Sequence, residues 1–169
     1  MAINGKVKGA SGEREAISVL QPIVTTIYTG YGLEPPVLER NLEQTRGGGY
    51  DINGLPWLAL EIKRVEVLAL DKWWRQTTKQ AAPDQVPCLM YRQNRKPWRY
   101  QIPMYDRDGR SYRCQLEHPE FVQWLAHQLA DSMIHITAAK NGTSSDARPL
   151  YGTGMLAAIV GPTLAQKGP

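Results

Sequence analysis

The stretch that most constrains this chain runs from Arg46 to Glu66, RGGGYDINGLPWLALEIKRVE: an Asp, a tight turn, and an apolar run that closes on Glu-Ile-Lys. At the strand period of two, Trp57 to Val65 sets Leu58, Leu60 and Ile62 on one face and Trp57, Ala59, Glu61, Lys63 and Val65 on the other. Asn53-Gly54 and Pro56 mark a turn, so Tyr50 to Ile52 is expected to fold back on the longer run as an antiparallel hairpin. Residues paired across a turn centred near Pro56 have indices summing to about 112, which sets Asp51 beside Glu61. Two carboxylates and the Lys63 ammonium then converge at one end of the hairpin. Adjacent carboxylates repel, and Lys63 offsets only one of them. A hard divalent cation such as Mg²⁺, which takes oxygen ligands, resolves the conflict. Taken alone, Glu-x-Lys on a strand is equally a solvated strand face, so the rest of the chain has to decide.

A chain of 169 residues with 42% hydrophobic content buries a real core. Lys and Arg number 20 against 16 Asp and Glu, a mildly basic balance that permits a polyanionic partner. Cys88 and Cys114 lie in strand-like apolar runs without CxxC spacing, and read as reduced core thiols. His118, His127 and His135 are not placed to complete a zinc set with them. No apolar run approaches the about 18 residues of a membrane span, and the N-terminus lacks a signal-peptide core, so a cytoplasmic protein with no membrane partner is expected.

Met1 to Gly9 is short, basic and Gly-containing, and is expected to be a mobile arm. A first helix begins near Ser11, with Ile17, Leu20, Val24 and Ile27 at helical spacing. Stepping back four from Ile17 reaches Glu13, in the first turn on the core side, whereas Glu15 projects elsewhere as a surface acid. For an isolated Glu13, the favourable helix dipole is explanation enough. Pro22 should kink or restart the helix. Val37 to Leu42 is a strand that brings Arg40 and Arg46 toward the hairpin, and glycines 47 to 49 suit either close approach of a phosphate or a flexible turn.

Beyond the hairpin, Asp71 is expected to cap a helix running to about Ala82, with Leu70, Trp74, Thr77 and Ala81 inward and Lys72, Gln76 and Lys79 as a polar stripe. Trp73 cannot share the face of Trp74; base stacking, a subunit interface and burial under a loop are all open to it. Strands follow at Pro87–Gln93, Trp98–Met104 and Ser111–Leu116. Arg92, Arg95, Lys96, Arg99, Arg107, Arg110 and Arg113 face only Asp106 and Asp108 in this segment, and Tyr91, Trp98, Tyr100, Tyr105 and Tyr112 are interleaved with them. That clustering suits a phosphate-contacting surface. Pro119 to Ala130 is a closing helix with Phe121, Leu125 and Leu129 inward; residues 131–169 form an extension poor in charge.

The segments Lys8-Gly9-Ala10-Ser11-Gly12-Glu13-Arg14-Glu15, Gly49-Tyr50-Asp51-Ile52, Leu60-Glu61-Ile62-Lys63, Pro87-Cys88-Leu89-Met90 and Trp98-Arg99-Tyr100 follow one another in an order that resembles the archaeal-type Holliday-junction resolvases and their phage relatives, within the PD-(D/E)XK nuclease superfamily. The resemblance covers roughly Lys6 to Ile102, and the Trp73-Trp74 pair points to the phage-like branch. It implies an α/β, restriction-endonuclease-like core over residues 1–130: a central mixed β-sheet flanked by helices in the order α-β-β-β-α-β, with an extra C-terminal helix and tail. It also implies a homodimer and Mg²⁺-dependent cleavage of four-way DNA junctions, with Mn²⁺ able to substitute and no nucleotide cofactor. By position, Glu13 matches the helix acid, Asp51 and Glu61 the metal-binding acids, and Lys63 the lysine beside the scissile phosphate. Arg14 matches a basic residue used near DNA, and Arg40 or Arg46 a second.

On these expectations Asp51, Glu61, the Ile62 carbonyl and Glu13 hold one or two Mg²⁺ ions, and Lys63 orients the attacking water or stabilises charge on the phosphate. Arg14, Arg40, Arg46, Lys72, Trp73, Gln76, Lys79, Arg95, Lys96, Arg99 and Arg110 are the candidate DNA contacts. A nuclease of the same type acting on flapped, linear or other branched DNA, and a non-catalytic DNA-binding module, remain open alternatives.

Overall fold

In a computed structural model, which describes residues 5–43 and 49–140, the element order is α1 (Gly5–Gly30), β1 (Glu39–Arg40), β2 (Ile52–Asn53), β3 (Leu58–Arg64), α2 (Leu70–Gln80), β4 (Val86–Arg92), β5 (Arg99–Tyr105), β6 (Ser111–Leu116) and α3 (His118–Lys140). The chain divides into two units, one built from residues up to Gln21 with Pro36–His118, the other from Pro22–Pro35 with the residues from Pro119 onward. All candidate site residues among those described belong to the first.

That first unit is an α/β arrangement around a four-stranded mixed sheet in the order β3-β4-β5-β6. β3 and β4 run parallel, with Glu61 beside Leu89 and Lys63 beside Tyr91; β4–β5 and β5–β6 are antiparallel. Parallel neighbours cannot be joined by a tight turn, and α2 supplies the crossover. The alternation of β3 assigns its two faces. Gly12 of α1 lies against Ile62 and Arg64, so the Leu58-Leu60-Ile62 face is covered by α1. On the opposite face Trp73 of α2 is clustered with Leu89 and Tyr91, the strand neighbours of Glu61 and Lys63. Covered on both sides, Leu58 to Ile62 is buried without interruption, and Glu61 is buried with its apolar neighbours. Each such Leu or Ile contributes about 2 kcal/mol of transfer free energy. Cys88 and Cys114 are free thiols, and burial pushes the Cys88 thiol far up, which makes it a core residue and not a nucleophile.

The second unit contains the later part of α1 and α3, with Val24, Ile27, Phe121, Leu125, Ala126 and Leu129 buried and the Phe121 and Trp124 rings 5.5 Å apart. The inward trio expected of the closing helix is therefore found, and the helix continues to Lys140. Residues 141–169 of the expected extension lie outside the described residues, as do residues 1–4 of the expected arm. Among the described residues no helix is long and apolar enough to cross a membrane.

Local expectations need correction at several points. Residues 5–9 are helical, not an arm; nothing between them and Ser11 breaks a helix except glycine, which costs only about 1 kcal/mol. α1 runs through Pro22 as one helix, so of the two expectations, a kink or a restart, the restart is not found. Of its expected inner stripe Leu20, Val24 and Ile27 are buried, whereas in the N-terminal half Gly12 and Ala16 are buried in place of Glu13 and Ile17, because a buried glycine carries no hydrophobic signal. The Tyr50–Ile52 segment does not form a regular hairpin with β3. β2 pairs instead with β1, Arg40 opposite Ile52, and a backbone bond from Asp51 N–H to the Leu60 carbonyl (2.8 Å) holds it against β3. In α2 the N-cap is Ala69, with no side-chain cap; Asp71 lies in the first turn and accepts a 2.6 Å bond from Arg113. That phase buries Trp73 and leaves Trp74 partly buried, the reverse of the expected order.

The turn feeding β3 depends on Gly54, whose φ is +110° and whose missing side chain leaves room for the Val37 carbonyl: an added Cβ would stand 2.7 Å from that oxygen. Gly54→Ala combines a disfavoured backbone with a backbone clash, and is expected to lower the urea unfolding free energy by about 2 kcal/mol or more. A midpoint equal to that of the parent would mean that this turn does not hold β1 and β2 in place.

Candidate functional site

Asp51 and Glu61 are 5% and 2% exposed. Asp51 is fixed at the outer edge of β3 through its backbone and its side chain together. Its N–H donates to the Leu60 carbonyl, its carbonyl accepts from Asn41 N–H (2.8 Å), and its Oδ2 accepts from Ile62 N–H at 2.5 Å. The Asp51 carboxylate thus sits on the peptide group joining Glu61 to Ile62. The N–H and C=O of a strand residue leave on the same side, so the Ile62 carbonyl is directed to this edge as well.

Glu61 projects from the α2 face. Its Oε1 accepts from Lys63 Nζ and, at 3.0 Å, from Gln76 Nε2 of α2. Its Oε2 is buried and meets no donor among the described residues. A buried charged oxygen without a partner costs several kcal/mol, and such atoms in native proteins mark the place of a water or an ion. Lys63 is 24% exposed, so the ammonium is the member of the pair that a ligand can approach.

These residues fit a hard divalent cation. Two carboxylates, one with an oxygen that meets no donor among the described residues, and a main-chain carbonyl are oxygen donors of the kind Mg²⁺ takes, and Mg²⁺ is commonly held by one or two carboxylates with several waters retained. Among the described residues no three His, Cys, Asp or Glu side chains converge, so the set does not extend to a third acid. Glu13, expected as a further ligand, is ion-paired with Arg40, whose ladder partner Ile52 follows Asp51. The structure therefore brings Glu13 to the neighbouring strand and engages it with Arg40.

The expected DNA contacts divide by exposure. Arg14, Lys72, Lys79, Arg95 and Lys96 are exposed, and Arg46 lies outside the described residues. Arg99 is paired with Glu117 at 2.6 Å, and Arg110 is 72% exposed beside Asp108. Gln76 faces Glu61 instead of solvent, and Trp73 is in the core, so its ring offers no stacking platform. Of the interleaved aromatics, Tyr91, Trp98 and Tyr100 are buried, while Tyr105 and Tyr112 are exposed.

Two elements escaped the sequence. Gln76 orients the buried acid, but a Gln on a helix carries no local sign of its partner. Glu15, expected at the surface, bridges Arg92 (2.6 Å) and Arg64 (3.4 Å), tying α1 to the ends of both parallel strands. The Arg92 guanidinium in turn lies 4.8 Å over the Trp98 ring. No family model, curated protein or solved structure matches this chain.

Proposed function

We propose that this chain is a metal-dependent endodeoxyribonuclease with a restriction-endonuclease-like core, acting as a homodimer on branched DNA and preferentially on four-way junctions. The observation that carries the catalytic reading is the buried Glu61 Oε2, which meets no donor among the described residues, in a strand buried on both faces whose next residue, Ile62, holds the Asp51 carboxylate through its N–H. An acid is held there against its desolvation cost by Lys63 and Gln76, which a merely structural strand has no need of. The junction preference rests on the order of the sequence motifs, and the symmetric pair of cuts on the two-fold symmetry of a dimer.

Asp51, Glu61 and the Ile62 carbonyl would hold the Mg²⁺. When bound, such an ion supplies Lewis acidity toward a phosphodiester and activates water. Asp51 is pre-set by the Ile62 N–H, which fixes one carboxylate oxygen and with it the plane of the group. Gln76 and Lys63 hold Glu61 Oε1, so its second oxygen is presented in one orientation. The Lys63 ammonium, at the more exposed end of the pair, donates to a non-bridging phosphate oxygen or to the attacking water as charge develops. Arg40 restrains Glu13 through their ion pair.

The test incubates the protein with end-labelled four-way junction, splayed arm, flap and linear duplex, with Mg²⁺ or with EDTA. Paired symmetric nicks in the junction alone, leaving 5′-phosphates and absent in EDTA, are expected. Cleavage of flapped or linear DNA would retain the metal site and remove the junction preference; no cleavage of any substrate would leave a binding module. DNA contact by the exposed β5–β6 end is tested separately. Arg110→Ala should weaken junction binding several-fold and reduce the slope of log K against log salt by about 0.9. An unchanged slope would place the DNA on another surface.

A further inference from the structure

Beyond the carboxyl end of the β3–β4 pair lies a cavity of about 330 Å³, walled by Leu70, Tyr91 and Pro97 and by Arg92, Lys96 and Arg99, with no acid in its lining. Ligands of open α/β sheets collect at the carboxyl ends of parallel strands, and this volume is at the low end of small-molecule pockets. Strand register relates it to the site. Tyr91 is the β4 neighbour of Lys63 and Arg99 is the β5 neighbour of Tyr91, so Arg99 stands two strands, roughly 10 Å, from Lys63 on the same face of the sheet.

The chemistry of the lining is that of an anion with an apolar appendage. Glu117 and Glu15 answer Arg99 and Arg92 from outside the lining, whereas Lys96 has no ion-pair partner among the described residues. The buried Nε–H of Arg92 meets no acceptor among them. Burial raises the pKa of the Tyr91 phenol and the Arg99 and Arg113 cations act against that rise, while its hydroxyl donates to Gln115 Oε1 at 2.5 Å. Lys96 is presented by a turn whose Arg95 has φ of +61°, an unfavourable conformation for a side chain of that size.

The geometry points to a nucleotide subsite: the cavity binds a phosphate-bearing nucleotide, with Lys96 and Arg99 on the phosphate and Leu70 and Pro97 against the sugar and base. It rests on the nuclease reading only for the source of that nucleotide, a strand end or an internal diester next to the cleaved one. Binding itself is independent of cleavage.

The test maps amide shifts of the full chain on adding a deoxynucleoside 5′-monophosphate, the matching deoxynucleoside, inorganic phosphate, and a short single strand with a 5′-phosphate or a 5′-hydroxyl. Shifts centred on Lys96, Arg99 and Gln115 with the monophosphate, and weaker ones with the nucleoside, are expected. A preference for the 5′-phosphorylated strand assigns the cavity to a strand end, and equal response to both strands assigns it to an internal diester. Lys96→Ala should weaken binding about tenfold and Lys96→Arg should retain it, while Arg75→Ala, exposed on α2, should have no effect. Asp51→Asn should leave this binding intact, so loss of cleavage and loss of the subsite are separately visible. Absence of shifts at these residues, or equal weakening by Lys96→Ala and Arg75→Ala, would overturn the proposal.

Discussion

Glu61→Gln, and separately Asp51→Asn, should lower DNA cleavage by at least about 10³-fold while leaving the fold and junction binding intact. The amides are nearly isosteric with the acids. Asp51→Asn keeps an oxygen to accept the Ile62 N–H, and Glu61→Gln keeps one to accept from Lys63 or Gln76. What each loses is the negative charge of a cation ligand. Glu61→Gln also removes a carboxylate whose second oxygen meets no donor among the described residues, so its unfolding midpoint should equal or exceed that of the parent. The combination of undiminished stability with lost cleavage separates a functional acid from a structural one. A Glu61→Gln protein that cleaves at the parental rate would remove the proposed metal site.

Lys63→Met has the second largest expected effect, and it acts on two observables at once. The substitution leaves the Glu61 carboxylate with the Gln76 amide as its remaining donor among the described residues. Breaking a fully buried ion pair costs about 3–5 kcal/mol in general, and the partial exposure of Lys63 reduces this to about 2 kcal/mol of unfolding free energy. Cleavage should fall on the order of 10²-fold under saturating metal. The double variant with Glu61→Gln discriminates further: once the charge is gone, removing the ammonium should cost much less stability. Additive stability losses in that cycle would mean that Lys63 and Glu61 are not coupled.

How far the sequence carried the structure depends on the range of the interaction concerned. The two faces of β3 and the shared face of Glu61 and Lys63 follow from period two and hold in the fold. The nearness of Asp51 to Glu61 follows from turn arithmetic, and it survives although the expected hairpin does not, because one backbone bond and one side-chain bond replace the ladder. The true partner of β2 is β1, a two-residue pairing too short to leave a pattern. The order of burial of Trp73 and Trp74 turns on helix phase, which begins at an uncapped Ala69 that no capping signal announces. Glu15 meets Arg92 across 77 residues and Gln76 meets Glu61 across a crossover; polar contacts of that range have no periodicity to reveal them. The N-terminal half of α1, where Gly12 and Ala16 are buried instead of Glu13 and Ile17, is a subtler case, since a glycine in a packed surface is silent in any hydrophobic pattern.

The measurement that tests the central claim most directly is calorimetric titration of Mg²⁺, and of Mn²⁺ as the tighter-binding probe, into the full chain and into Asp51→Asn and Glu61→Gln, without DNA. The parent should bind the ion with a stoichiometry of at least one per chain, and each variant should lose that binding or weaken it severely. Equal binding by all three proteins would contradict the account, because Asp51 and Glu61 would then not be the ligands.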